Sequence, residues 1–274
     1  MAFIRPYQES DFEACAHICR ATLPPSLSTT PITAKLAPYV WTHQYTHLSP
    51  TTCHMLVDGH ESSDASGSGD GKVVGYCIGC PDVYAFAERY PSYISSVLST
   101  AVAPPPPASS PSSTSAPDLA SPGEEEPFWI PDDTTLTPSG TAPLQAKKPN
   151  PAALVRLAYD PRRLLQLDGS RKDLSSPQGE GGGGWRATMH IDLLPEYQHR
   201  GWGRQLIDAY VRSVQASGED FGKGAWIGIA ADNAGVVEFY KKVGFRLITP
   251  PVADQGRSGG GGDGINMVID IAKV

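Results

Sequence analysis

Residues 187–207 read ATMHIDLLPEYQHRGWGRQLI, and three textures meet within them. An apolar run ends at Pro195. A loop follows with Gln198, Arg200, Gly201 and Gly203, and an amphipathic helix is predicted directly behind it. From Gly203 onward, Leu206, Ile207, Tyr210, Val211 and Val214 form one apolar stripe, and Gly218 is placed to stop it. A strand that runs through a glycine loop into a helix is a good anion cradle. The first backbone N–H groups of a helix have no partner within it, and they sit at the positive end of its dipole. Gly201 and Gly203 carry no Cβ, so an anion such as a pyrophosphate can come close to the chain there.

Downstream, AWIGIA (225–230) reads as another strand, and Asp232 or Asn233 is placed to cap a short helix, AGVVEFYKKV, that ends at Gly244. FRLIT and INMVIDIA read as strands on either side of a glycine-rich loop. Upstream, FIRPY opens the chain as a strand. Ser10 with Glu13 then forms a capping box for a helix whose apolar face is Phe12, Cys15, Ala16 and Cys19. Residues 22–50 are punctuated by prolines, with a helical piece around Lys35 to Tyr45. CHMLVDG and KVVGYCIG form a hairpin, and a helix follows Pro81, with Asp82 as its cap. PAALVRLAYDP is a further helical piece. This order predicts an α/β fold with a mixed central sheet flanked by helices.

Two stretches break the pattern. Residues 101–149 are rich in Pro, Ser and Ala, and residues 168–184 are rich in Gly. Neither can bury enough apolar area to offset its ordering entropy, so both read as low-complexity insertions in a single domain spanning 1–274. The Trp129 region is the part of the first insertion that can dock locally. A net charge of −7 argues against a generic nucleic-acid or anionic-membrane surface. No apolar run reaches the ~18 residues of a membrane span, and the N-terminus has no secretory pattern. Five cysteines without a signal peptide favour reduced thiols and a cytosolic or nuclear setting. Cys77 and Cys80 form a C-x-x-C, but no second pair of zinc ligands is present and the motif closes a strand instead of opening a helix. His43 and His47 lie one helical turn apart with no third ligand, and read as two partly exposed imidazoles. No metal site is expected.

Alone, the pattern from Gln198 to Gly203 is weak, since its like arises by chance about once in four chains of this length on average residue usage. Its context is specific. Asn233 leads to EFYKKVGF (238–245) some thirty residues on, and loop plus N…FYKKVGF resembles the GNAT superfamily of acetyl-CoA-dependent N-acetyltransferases. GYCIGCPDVYAF, MHIDLLPEYQHRG and GAWIGIAADNAGVVEFYKKVGF are also similar to the acetyltransferase-like domain of animal O-GlcNAc hydrolases and to its free-standing bacterial relatives. The animal domain lacks the glycine loop, which this chain keeps.

The resemblance implies acetyl-CoA as co-substrate and a primary amine as acceptor: a small amine, an amino sugar or a lysine. Backbone groups of Ile191 to Leu194 would hold the pantetheine arm. Leu193, with Leu194 beside it, would polarise the thioester carbonyl. The pyrophosphate would lie over His199, Arg200, Gly201, Trp202, Gly203 and Arg204, with Gln198 also among the cofactor-binding residues. Tyr240 matches the tyrosine that protonates the departing thiolate, and Asn233 a position that contacts the CoA arm. On the residues alone, Arg200 and Arg204 also fit a solvated helix face, Asn233 a cap, Tyr240 a packing position, and Phe239 the core. The general base must be a carboxylate or an imidazole. Asp192 ranks first and His190 second, ahead of Glu196 and Asp82. On an extended strand His190 and Asp192 share a face, opposite Met189 and Ile191. The competing reading is a non-catalytic module that holds acetyl-CoA or a protein partner.

Overall fold

The computed structural model describes residues 1–60, 70–105, 127–131, 147–168, 184–248 and 264–273. Strand β1 (Ala2–Pro6) leads through a single 3-10 turn into α1 (Phe12–Ala21), α2 (Pro31–Trp41) and α3 (His43–Leu48). The hairpin is β2 (His54–His60) and β3 (Asp70–Cys80), followed by α4 (Val83–Tyr93). A two-stranded ribbon, β4 (Trp129–Pro131) and β5 (Lys147–Pro149), precedes α5 (Pro151–Tyr159). Then come β6 (Ala187–Leu193), α6 (Trp202–Ala216), β7 (Gly224–Ile229), α7 (Val237–Val243), β8 (Arg246–Leu247) and β9 (Ile265–Asp270).

The main sheet has seven strands in the order β1-β2-β3-β6-β7-β9-β8. It is mixed, as expected: β6 and β7 run parallel and every other neighbour is antiparallel. Its apolar positions join helix residues in one buried cluster, with Cys15 and Ile18 of α1, Phe86 and Tyr90 of α4, and Leu206 and Tyr210 of α6 fully enclosed. Tyr210 ties α6 to the sheet, because its hydroxyl donates to the carbonyls of Thr188 and Cys80.

Several local expectations are corrected. Ser10 does not cap α1; it lies inside the 3-10 turn Glu9–Asp11, and the helix begins at Phe12. Asp11 is the organising residue there. Its carboxylate accepts the Gln8 N–H at 2.9 Å and a two-pronged contact from Arg5 at 2.6 and 2.7 Å. His43 is not partly exposed: it is buried, stacked on Phe12 at 3.6 Å, and burial with the nearby Arg20 lowers its pKa to about 3. His47 is exposed. Asp232 and Asn233 do not cap α7, because both lie within the 3-10 turn Ala231–Val236 that precedes it. The Asp232 carboxylate accepts the Ser26 N–H, from the α1–α2 connection, at 2.8 Å.

Within the first insertion, the Trp129 region docks as β4, and the Asn150 N–H binds the Phe128 carbonyl. Residues 106–126 and 132–146, and the glycine-rich stretch 169–183, lie outside the described residues.

Arg5 and Asp11 are both nearly fully buried, and among the described residues the Arg5 Nε has no partner. Asp11→Ala would leave a guanidinium alone in low dielectric and is expected to cost about 3–5 kcal/mol, read as a drop in the urea midpoint. Replacing both partners, as Arg5→Met with Asp11→Leu, should recover most of that loss.

Candidate active site

The site begins where two strands part. The β6–β7 register holds only at Ala187↔Ala225 and Thr188↔Trp226. Beyond it, β6 stays paired with β3 as far as Leu193, and β7 stays paired with β9 as far as Ile229. Antiparallel pairing alternates the direction of the backbone groups. The Leu194 N–H donates to the Val74 carbonyl at 2.9 Å, so Asp192 and His190 also turn their peptide groups toward β3. Ile191 and Leu193 therefore turn theirs toward the opening beside β7. The Leu193 carbonyl accepts the side-chain amide of Gln198 at 2.8 Å, and the Leu194 N–H is spent on Val74.

At the mouth of that opening α6 begins. Gly201 is its N-cap with φ +83°, and a side chain there would meet only open space. Among the described residues no side chain caps this terminus, and no acid stands in its first turn. The first intrahelical bond is the Gln205 N–H to Gly201, which leaves the amides of Trp202, Gly203 and Arg204 free for an anion. Gln198, His199, Arg200 and Arg204 are exposed around them, with Arg200 resting over the Tyr197 ring. His199 has φ +58°, which turns the loop toward Gly201.

Gly203 serves a different neighbour. A Cβ there would come within 2.9 Å of the Phe239 ring and 3.8 Å of the Leu193 side chain. The start of α6, the end of β6 and α7 thus converge on one point. The expectation of a core Phe239 is corrected: its ring is 36% exposed over this junction, while Tyr240 is 9% exposed, between Phe239 and Phe245. A seven-residue helix presents adjacent residues about 100° apart, and the deeper direction falls on Tyr240. Burial, with the negative charge of Asp192, pushes the Tyr240 phenol well above its ordinary pKa. It stays protonated at neutral pH and, among the described residues, its hydroxyl has no hydrogen-bond partner.

On the strand face opposite Ile191 stands a polar group that sequence reasoning found only in part. His190 and Asp192 meet, with Nε2 to Oδ2 at 3.1 Å. The same Oδ2 accepts the Tyr76 hydroxyl at 2.6 Å, and the His190 Nδ1 lies 2.8 Å from the Trp41 carbonyl. Tyr76 pairs with Asp192 in the β3–β6 register, which places both side chains on one face. A tyrosine inside an apolar strand reads as core, and it is fully buried. Only the strand register, which the sequence does not supply, reveals its partner.

Other candidates lie apart. Asp82 caps α4 through the Tyr84 N–H and is bound by Arg186, at the opposite end of β6 from Leu193. Glu196 is exposed in the 3-10 turn after β6, and Asn233 is exposed before α7. Cys77 and Cys80 are three apart on one strand, so their buried thiols face opposite sides and cannot act together. Among the described residues no cluster suited to a metal occurs, and no helix is long and apolar enough to cross a membrane.

Residues 115–245 match the model of the Acetyltransferase (GNAT) family. The architecture is the α/β GNAT fold, with its mixed seven-stranded sheet between helices. The crystal structure of SsHAT superposes with a TM-score of 0.61 at 21% identity, covering 99% of this chain and 98% of that one. Two others are more distant. The ribosomal-protein-S18-alanine N-acetyltransferase from Escherichia coli gives a TM-score of 0.40 at 14% identity, over 100% of this chain and 96% of that one. The structure of yncA from Salmonella typhimurium "with its cofactor Acetyl-CoA" gives 0.42 at 12%, with the same coverages. No curated protein matches significantly. The family match covers 131 of the 274 residues, and the fold agrees with it.

The two glycines should respond differently to alanine. Gly201→Ala forces a side chain into a left-handed conformation and is expected to cost about 1–2 kcal/mol. Gly203→Ala meets only the outer end of a partly exposed ring, which can swing away, so its cost in a denaturant titration should be the smaller.

Proposed function

We propose that this chain is an acetyl-CoA-dependent N-acetyltransferase of the GNAT superfamily, acting on a primary amine. One observation carries the reading. The opening beside Ile191 and Leu193 leads directly to an uncapped, acid-free helix start at Gly201. A long cofactor with a diphosphate at one end and a thioester at the other fits that sequence of groups. Gln198, His199, Arg200, Gly201, Trp202, Gly203 and Arg204 would hold the pyrophosphate, chiefly by main-chain amides. Leu193 and Leu194 would flank the arm, and Asn233 is the further residue the resemblance assigns to it. Acetyl-CoA supplies an activated acetyl group and a thiolate leaving group. The Leu193 N–H would stabilise charge developing on the thioester oxygen, since a donor fixed in advance needs no reorganisation. Tyr240, protonated and unpartnered, would donate its proton to the departing sulfur. Asp192, with His190 next to it, is the group on this face suited to take the acceptor's proton.

We also read residues 1–274 as one domain carrying two low-complexity spacers, in a cytosolic or nuclear setting suited to its reduced thiols. The likeness to the acetyltransferase-like domain of animal O-GlcNAc hydrolases belongs to this reading. A small amine, an amino sugar and a lysine are the acceptor classes.

Calorimetry with acetyl-CoA tests binding, and thiol release over a panel of metabolite and peptide amines tests turnover. Gly201→Asp with Gly203→Asp should abolish binding, because negative side chains would occupy the phosphate position; undiminished affinity rejects the cradle. Tyr240→Phe should lower kcat by about tenfold or more while leaving acetyl-CoA affinity within twofold. Micromolar binding without thiol release from any amine would move the chain to the non-catalytic reading.

A further inference from the structure

The polar group on the inner face of β6 and β3 has a hydrogen-bond arithmetic of its own. A carbonyl can only accept, so the His190 Nδ1 must donate to Trp41. The His190 Nε2 then faces the Asp192 Oδ2, which also accepts from Tyr76. A neutral imidazole with its proton on Nδ1 would point a lone pair at a carboxylate. One more proton is therefore held between Nε2 and Oδ2. The Tyr76 hydroxyl donates to that same oxygen, and with two donors aimed at Oδ2 the shared proton sits on the ring nitrogen. Both donors fall on Oδ2. Among the described residues nothing binds Oδ1, although Asp192 remains 17% exposed.

Resting on the acetyltransferase reading, we propose that the Asp192 Oδ1 holds and deprotonates the acceptor ammonium, while Tyr76 and an imidazolium His190 act as positioning residues that aim it. His190 is thereby removed as the base, because both its nitrogens already carry protons committed to other acceptors. In the step, one N–H bond of the ammonium breaks and its proton goes to Oδ1. The amine's lone pair then forms the C–N bond as the C–S bond breaks. Tyr240 protonates the sulfur and recovers a proton from the amine nitrogen. Asp192 returns its proton to water, which makes one proton released per amide formed.

The surroundings agree. Facing His190 are Asp192 on its own strand, the Tyr76 ring at 5.7 Å from β3, and the Trp41 carbonyl from α2. Cys19 of α1 lies near Asp192, and burial with that neighbouring charge pushes its thiol up to about 12, so it is neutral. Burial alone would lower the His190 pKa, but the Asp192 charge and hydrogen bond, with the Trp41 carbonyl, outweigh it and raise the imidazole above 6.5. The sign for folding follows. The pair's stabilisation is complete below about 6.5 and is lost as the pH rises through the raised folded value.

The test has two arms. Nuclear magnetic resonance of ring-nitrogen-labelled full-length protein should show His190 doubly protonated at pH 7, and neutral at that pH in Asp192→Asn. A neutral His190 in the unmodified chain overturns the proposal, whatever the activity. In kinetics, Tyr76→Phe keeps the packing and removes one donor. It should lower kcat about tenfold, leave the KM for acetyl-CoA unchanged and shift the pH profile, with His190→Gln behaving alike. An unchanged kcat and pH profile in Tyr76→Phe also overturns it. A chain that releases no thiol fails the proposed function instead, and the resonance arm still decides the charge state.

Discussion

Strand pairing that gives out after Thr188 is the constraint from which the rest of the site follows. β6 is held along its length by β3, and β7 by β9, so each strand follows its outer neighbour and the two diverge. Unpaired main-chain groups in a protein interior are costly unless something meets them. Here they are the Ile191 peptide groups and the Leu193 N–H, in line with the bare amides at the start of α6, while the Leu193 carbonyl is met by Gln198. The molecule thus offers a row of donors and acceptors at one end of the parallel pair. Acyl transfer from a thioester needs such a row, because the charge that develops on oxygen is best met by dipoles already in place.

The two faces of β6 divide the labour. On one side, Leu193, Gly203 and Phe239 form an apolar junction at the helix start. On the other, Tyr76, Asp192 and His190 form a hydrogen-bonded group anchored to the α2 backbone at Trp41. The period of two along an extended strand produces this division with no further design. Tyr240, near the charge of Asp192, is placed to connect the two.

The sheet, its mixed character, the long helix after Gly201 and the turn at Gly244 were legible because periodicity and glycine placement are local signals. The His190–Asp192 pairing followed from strand alternation alone. What was not legible depended on contacts distant in sequence. Ser10 and Asp232 have the chemistry of caps, yet the chain places Asp11 against Arg5 and Asp232 against Ser26. His43 reads as a polar helix residue until Phe12 stacks on it. Phe239 and Tyr240 are equally apolar neighbours, and only the direction of a short helix decides which one goes inward. Tyr76 was hidden for the same reason, since its partner is set by strand register.

The ribbon at Trp129–Pro131 and Lys147–Pro149 has a geometric corollary. Its pairing, with Pro131 opposite Lys147, holds the two ends of the intervening stretch about one strand spacing apart, roughly 5 Å. Whatever is spliced between those ends leaves and re-enters the protein at a fixed gate. The positions of Pro131 and Lys147 are thereby set by the ribbon's own pairing, which is separate from the seven-stranded sheet.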